Sequence, residues 1–412
     1  MKKHLFTLVC ALMSVGTFAQ VGIKINGTVA PGFESNVFNA PDLYIKPQGD
    51  TLFNDSLFVS DQLMLVALGT EFNWKKGNHR FEWKTDLNLL RYAEVKQANA
   101  TELDSWLSYD RRQKKGVSRK AYLRLRSEDR LGLNVLGSEL LTPFSFRQVE
   151  VGGALEKVVS KTYSVQIQTA FTFKDYDECI GCGLNNETVS LTQRQWDVAI
   201  KNEINLQPDT RNNPKLGVNV FWIDRRYRDW INYELLDPNR SALDEDPFLP
   251  FDSRVTYSPR HWRYFIAEVD FALPLSNVLK LKPQLEYTRR FDVSNGDFGS
   301  VQWQTTVFAY LKTEKWEGRL RAGFTRRDYT DRLAKQESGV PYPELRYDYL
   351  RTGVRIQRTL KRGFAVFADL DRASRDSNTT LQTTRVRRSY TNAVAMVGLT
   401  WGWEKPPKKK QP

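Results

Sequence analysis

Histidine and cysteine, on which many catalytic and metal sites depend, are almost missing: three of each occur among 412 residues. His4 and Cys10 fall in the first nineteen positions, which leaves His79, His261, Cys179 and Cys182 for the rest of the chain. A serine hydrolase needs a Ser and a His poised together, with a third group orienting the imidazole. Ser258 and His261 are close in sequence, but three positions along an extended chain they point to opposite faces. His79 stands beside Gly77-Asn78 in a tight turn. No catalytic residues are expected, and the chain is not read as an enzyme. Cys179-Ile180-Gly181-Cys182 has no second ligand pair for tetrahedral zinc and no βαβ context for thioredoxin-type redox chemistry. Asp175, Asp177 and Glu178 beside it lack EF-hand spacing. No metal and no cofactor are expected.

Long apolar runs are equally scarce. Beyond the N-terminus none approaches the 18 or so residues of a transmembrane helix. The mean hydropathy of −0.52 would suit a water-soluble protein. It also suits a membrane barrel, whose strands alternate apolar and polar residues and average out hydrophilic. No identity recurs at a period of roughly 20–50 residues, which excludes solenoids and propellers.

The N-terminus carries Lys2 and Lys3, an apolar run from Leu5 to Val15, and then Gly16-Thr17-Phe18-Ala19. This pattern predicts a secretory signal peptide over residues 1–19. Cys10, preceded by Val9, reads as part of its apolar run. In an exported chain, Cys179 and Cys182 are expected to form a local disulfide. Residues 404–412, EKPPKKKQP, read as a disordered periplasmic tail. The net charge is +13, and its basic residues are dispersed rather than clustered. Nucleic acid is therefore not an expected partner, although basic faces would favour anions.

Between those ends the chain alternates. Leu350, Thr352, Val354 and Ile356 interleave with Arg351, Gly353, Arg355 and Gln357, and a Leu360-Lys361-Arg362-Gly363 turn follows. Beyond it the alternation resumes through Phe364–Asp371 and again through Ala393–Trp403. Period-two alternation bounded by turn residues predicts strands. About sixteen such segments (fourteen to eighteen) occur, near 21–34, 62–75, 79–92, 102–111, 119–127, 147–158, 163–174, 192–206, 215–226, 261–273, 279–291, 300–312, 317–328, 346–358, 363–373 and 389–403. The stretch 131–146 could hold another strand or a folded loop. Short links alternate with long polar ones, including 35–61 and 227–260; the latter carries Glu234, Asp237, Asp244, Glu245 and Asp246. Such asymmetry predicts an all-β, transmembrane, antiparallel up-and-down β-barrel over 20–403, with short periplasmic turns and long external loops.

Aromatic residues are plentiful, with 11 Trp, 17 Tyr and 23 Phe. Trp74, Trp83, Trp316, Trp401 and Trp403 fall near short links, and Trp222 and Trp262 near long ones. They are predicted to form the aromatic girdles of a membrane barrel. The opposite parity predicts the lining of the lumen: Lys280, Lys282, Arg319, Arg321, Arg351 and Arg355, with Glu268, Asp270, Asp369 and Asp371. The hairpin, with an odd-length turn at 360–362, allows two registers. One places Arg351 opposite Asp371, the other Arg355 opposite Asp369; either predicts a cross-strand ion pair bracing the wall.

With its signal peptide, alternating strands and aromatic final strand, the chain resembles Gram-negative outer-membrane β-barrel proteins of the porin-like class. It departs from their pattern in having nine residues after Trp403. The resemblance implies residence in outer-membrane lipid and handling by the barrel-assembly machinery. Two functions follow as expectations. One is a porin or channel for passive diffusion of small, anionic solutes. The other is a non-conducting barrel that serves an envelope protein partner as anchor, assembly factor or subunit of a secretion or export complex.

Overall fold

In a computed structural model, residues 20–37, 43–45, 51–53, 59–113, 116–129, 131–132, 142–143, 145–177, 192–207, 213–235, 253–294, 298–333, 343–378 and 389–405 are described. Sixteen long strands carry the fold: β1 (Gln20–Glu34), β2 (Asp61–Lys76), β3 (His79–Tyr92), β4 (Ala100–Arg112), β5 (Val117–Asp129), β6 (Phe146–Val158), β7 (Tyr163–Tyr176), β8 (Gln193–Asn205), β9 (Lys215–Leu235), β10 (Ser253–Pro274), β11 (Leu279–Asp292), β12 (Ser300–Lys312), β13 (Trp316–Leu333), β14 (Glu344–Thr359), β15 (Phe364–Ser377) and β16 (Tyr390–Lys405). Each pairs antiparallel with its neighbours in sequence, and β16 returns to β1, so the sheet is a closed barrel without edges. Closure satisfies the backbone groups that an open edge would leave exposed to hydrocarbon.

Connections alternate around the rim. One end carries the links 77–78, 113–116, 159–162, 206–214, 275–278, 313–315 and 360–363; the other carries 35–60, 93–99, 130–145, 177–192, 236–252, 293–299, 334–343 and 378–389. The turn after β14 shows why it is tight. Arg362 and Gly363 have φ of 59° and 81°, as the central pair of a type I′ turn does, and that turn's twist matches the flanking strands. Phe364 N–H donates to Lys361 O at 3.4 Å to close it.

Two differences from the sequence reading concern the long-link end. β9 and β10 pair well beyond 226 and 261, out to Leu235 opposite Ser253, with a register shift between Tyr227 and Trp230. Beyond the shift the alternation resumes on the other parity of β9, with Ile231, Tyr233 and Leu235 interleaved with Asn232 and Glu234, because the irregularity at 227–230 breaks the period of two. The stretch 131–146 contributes a two-residue ladder, Leu131–Gly132 with Thr142–Pro143, and the first residue of β6. β16 also extends two residues past Trp403, pairing Glu404 with Lys24 and Lys405 with Ile23. Residues 1–19 and 406–412, assigned to the signal peptide and most of the tail, lie outside the described residues, as do Cys179 and Cys182.

Alternation assigns the two faces. Leu320, Val354 and Leu370 are direct neighbours across β13–β15 and are 51%, 39% and 52% exposed. Val198, Trp222 and Phe265 repeat this across β8–β10, again exposed. Every barrel strand sends one parity outward, and the large exposed apolar side chains of the strands share it, except Val158 at the end of β6. A soluble sandwich would hide this face; here it is the outside of a closed cylinder, which requires an apolar solvent.

The seam between first and last strands is clasped by side chains as well as backbone. Asn392 Nδ2 donates to Glu34 Oε1 at 2.7 Å, the Tyr92 hydroxyl donates to the other Glu34 oxygen, and Asn36 N–H donates to Asn392 Oδ1 at 3.2 Å. All four residues are buried.

Replacing Leu320, near the middle of the outer face, by Arg should destabilise the barrel by about 2–4 kcal/mol. The measurement is the urea unfolding midpoint after refolding into phosphatidylcholine vesicles. An unchanged midpoint would contradict a lipid-facing Leu320.

Candidate functional site

The inner face is where the strands place their charge. On β11 to β14 it carries Lys280, Lys282, Arg290, Lys312, Arg319, Arg321, Arg327, Arg351 and Arg355, against Glu286, Asp292 and Glu317. On β3 to β6 it carries Glu82, Asp86, Glu102, Asp104, Asp110, Glu128, Glu150 and Glu156, against fewer bases. The two arcs lie eight strands apart in a ring of sixteen, hence diametrically opposite. All ten residues predicted to line the lumen share this inner parity.

Acids of the β3–β6 arc are largely neutralised by their neighbours. Arg124 bonds Asp104 at 2.5 Å, Arg126 bonds Glu102 at 2.7 Å, and Lys84 bonds Glu82 at 2.5 Å. The basic arc is less compensated. Lys280, Tyr310, Arg319 and Arg355 are successive partners across four strands, so Arg319 and Arg355 stand directly opposite each other. Like charges in that position are destabilising. Asp369, on the next strand, takes Arg355 at 3.4 Å, while the Arg355 guanidinium lies 4.1 Å from the Phe367 ring centre. Among the described residues, Lys280, Arg319 and Arg351 make no ion pair and no side-chain hydrogen bond.

The wall-bracing expectation resolves to one register. Arg355 faces Asp369, and Arg351 faces Ala373. Asp371 faces Gly353 instead, and beyond that glycine stands Arg321. The Arg321 guanidinium crosses the bare backbone of Gly353 to reach Asp371 at 2.5 Å. A Cβ on Gly353 would overlap that carboxylate, so the missing side chain makes room for an ion pair spanning three strands. Glu268 and Asp270 are held differently. Asn219 Nδ2 donates to them at 2.7 and 3.3 Å, and Gln284 donates to Glu268 at 2.5 Å. Lys280 and Lys282 line a groove with Asp270, Asn219, Glu203 and Lys215.

The aromatic residues divide. Trp83, Trp222, Trp316, Trp401 and Trp403 are exposed, between 37% and 46%, and Trp74 shares the same outer parity. Trp262 is a correction: it is 4% exposed and inward. It packs on Tyr227 and Phe298 at 5.0 and 5.8 Å, beneath the Arg290 guanidinium at 4.7 Å. Its parity with Glu268 and Asp270 already carried this information. Beside it Arg260 and Asp292 form an ion pair at 3.4 Å with side chains 1% and 0% exposed, and Arg290 Nε donates to Phe298 O at 2.6 Å. This buried cluster ties part of the 293–299 connection to the inner wall. Sequence reading missed the outward Trp196 and Trp303, 58% and 49% exposed, which share parity with Val198 and Val301. Trp303 pairs with Arg326, ten residues along β13 from Trp316. At about 3.3 Å per residue and a tilt near 40°, the two Trp levels lie about 25 Å apart, the height of a membrane barrel's apolar band.

His261 Nε2 lies 2.7 Å from the Asp224 carboxylate on the outer face. His79 Nδ1 lies 2.6 Å from the Tyr109 hydroxyl, also outside. Neither joins the inner wall.

Gly353→Ala should cost about 1–3 kcal/mol through overpacking. In an Asp371→Ala background the same change should be nearly neutral. Urea unfolding of the four proteins of this cycle measures the coupling, and equal costs in both backgrounds would show that Gly353 does not serve the ion pair.

No family model matches the chain, and no curated protein matches it. Solved structures similar to it include an anion-selective porin from Comamonas acidovorans, with TM-score 0.43, 10% identity, and 93% of this chain and 100% of that one covered. Acinetobacter baumannii OccAB1 gives TM-score 0.44, 6% identity, and coverage of 94% and 96%. A bacterial polysaccharide outer membrane secretin gives 0.42, 10%, 93% and 98%. The residues themselves supply the conclusion: the chain is a sixteen-strand antiparallel β-barrel, closed on itself, apolar on its outer face and charged within.

Proposed function

We propose that the barrel is a channel in a bacterial outer membrane for passive diffusion of small anionic solutes, with its short turns in the periplasm. The observation that carries this reading is the row Lys280–Tyr310–Arg319–Arg355, with Arg351 two inner positions along, beyond Gly353. It presents more positive charge than Asp369 and Asp371 neutralise. A lining of one sign selects the opposite one, because a solute entering from water exchanges hydration for fixed charge. Five of the eight acids of the facing arc are paired with neighbouring bases, so it opposes an anion less than its composition suggests. Diffusion along such a wall needs no cofactor and no chemistry.

The non-conducting alternative has its own support. Trp262, Phe298, Arg260 and Asp292 fill part of the inner wall near the long-link end. If the connections above them complete a plug, the barrel serves as an anchor or assembly subunit.

Planar-bilayer recording across a potassium chloride gradient separates the two. The channel reading expects steps of stable conductance with a reversal potential on the anion side. Arg319→Glu combined with Arg351→Glu should lower the anion-to-cation permeability ratio by about three-fold or more. Electrical silence from a folded barrel would favour the plugged scaffold.

A further inference from the structure

A second basic array lies outside the barrel, at the short-turn end, where neither channel nor scaffold requires it. Lys76 faces His79, His79 faces Arg111, and Arg111 faces Arg119, in unbroken register across β2 to β5. Lys157 follows on β6, two positions beyond the Leu155 that faces Arg119. All share the outer parity of the apolar belt. Lys76, Arg111, Arg119 and Lys157 are exposed, and none of them makes an ion pair or a side-chain hydrogen bond among the described residues. No outward-facing acid occurs among the outer residues of Phe72–Lys76, His79–Trp83, Leu107–Arg111, Val117–Ala121 and Leu155–Lys157.

The direct opposition of Arg111 and Arg119 is unfavourable in isolation. It becomes favourable when an anion lies between two guanidinium forks, whose geometry suits a phosphate. The level of the array says which anion. Trp74, Phe81, Trp83 and Tyr109 lie immediately toward the apolar belt, so the cations stand where acyl chains give way to headgroups. Their long side chains can keep their stems in the apolar layer while the charge reaches the phosphates. His79, held by the Tyr109 hydroxyl at 2.6 Å, places a further polar ring in the same row.

We propose that this arc of β2 to β6 binds the headgroup of an anionic phospholipid in the leaflet nearest the short turns, with Arg111 and Arg119 as its principal phosphate contacts. The inference uses the membrane orientation of the barrel and does not depend on conduction.

The test uses the full chain, folded and purified in a neutral maltoside detergent, with phosphatidylglycerol or phosphatidylcholine added at equal mole fraction. Native mass spectrometry counts the bound lipids. Phosphatidylglycerol should be retained in clear excess, and Arg111→Gln with Arg119→Gln should reduce that excess by about ten-fold, since each base near an anionic surface contributes a several-fold attraction. Arg319→Gln with Arg355→Gln, on the inner wall, should leave it unchanged. The single variants Arg111→Gln and Arg119→Gln stand in if the double variant fails the heat-modifiable mobility that marks a folded barrel; each should give a partial loss. Equal retention of the two lipids, or equal retention by wild type and rim variants, overturns the proposal. So does full displacement by inorganic phosphate at matched concentration, which would reveal a free-oxyanion site. A periplasmic acidic protein captured by the rim in preference to phosphatidylglycerol would overturn it as well. Loss of anion preference with lipid retention intact would strike the channel reading alone.

Discussion

Backbone hydrogen bonding in a solvent that offers none is the constraint on which this molecule depends. Each strand must find a partner on both sides, and the only arrangement that gives every strand two partners is a ring. Ring closure then dictates the rest. Side chains of one parity must suit lipid, and those of the other turn inward toward one another. The polar residues that lower the mean hydropathy are therefore the inner half of each strand, and the molecule is inverted relative to a soluble sandwich. Its apolar surface faces out, while its polar atoms are satisfied by one another within.

That inversion explains what was legible in the sequence. Period-two alternation needs only local reading, so all sixteen strands and the parity of Lys280, Lys282, Arg351 and Asp369 could be assigned without coordinates. Trp262 was misplaced because nearness to a long link was weighed above its parity with Glu268 and Asp270. The extension of β9 and β10 was missed because the register shift between Tyr227 and Trp230 switches the apolar parity of β9, so the alternation of Ile231, Tyr233 and Leu235 does not continue that of Val220 and Trp222. The cross-barrel relations were hidden for another reason. Whether Arg319 meets Arg355 depends on the register of β13 against β14, across the long 334–343 connection, and alternation is blind to a shift of two residues. For the hairpin with a tight turn, turn geometry narrowed the choice to two registers, and one of them is observed.

Inside, charge works first as structure. Asp371 and Arg321 span three strands because Gly353 steps aside, and Arg355 is shared between Asp369 and the face of Phe367. Such contacts fix side chains that would otherwise wave into the lumen. What remains uncommitted, chiefly Lys280, Arg319 and Arg351, is then presented from a stiff wall. Pre-positioned charge attracts a passing ion without paying to order long side chains first. The wet outer rim at the short-turn end and the dry belt beside it follow the same logic, each matching the medium at its own depth.

The clasp between β1 and β16 also has a kinetic meaning. Glu34 and Asn392 are 358 positions apart, so the seam joins regions that no local event can bring together. Strand pairs elsewhere can form as neighbours emerge, but the first strand keeps one unpaired flank until the last has been made. Loop-closure entropy of that span is met only once, at the end. An assembly route for this chain must therefore shield an open edge of β1 for the whole time that fifteen other strands are being laid down.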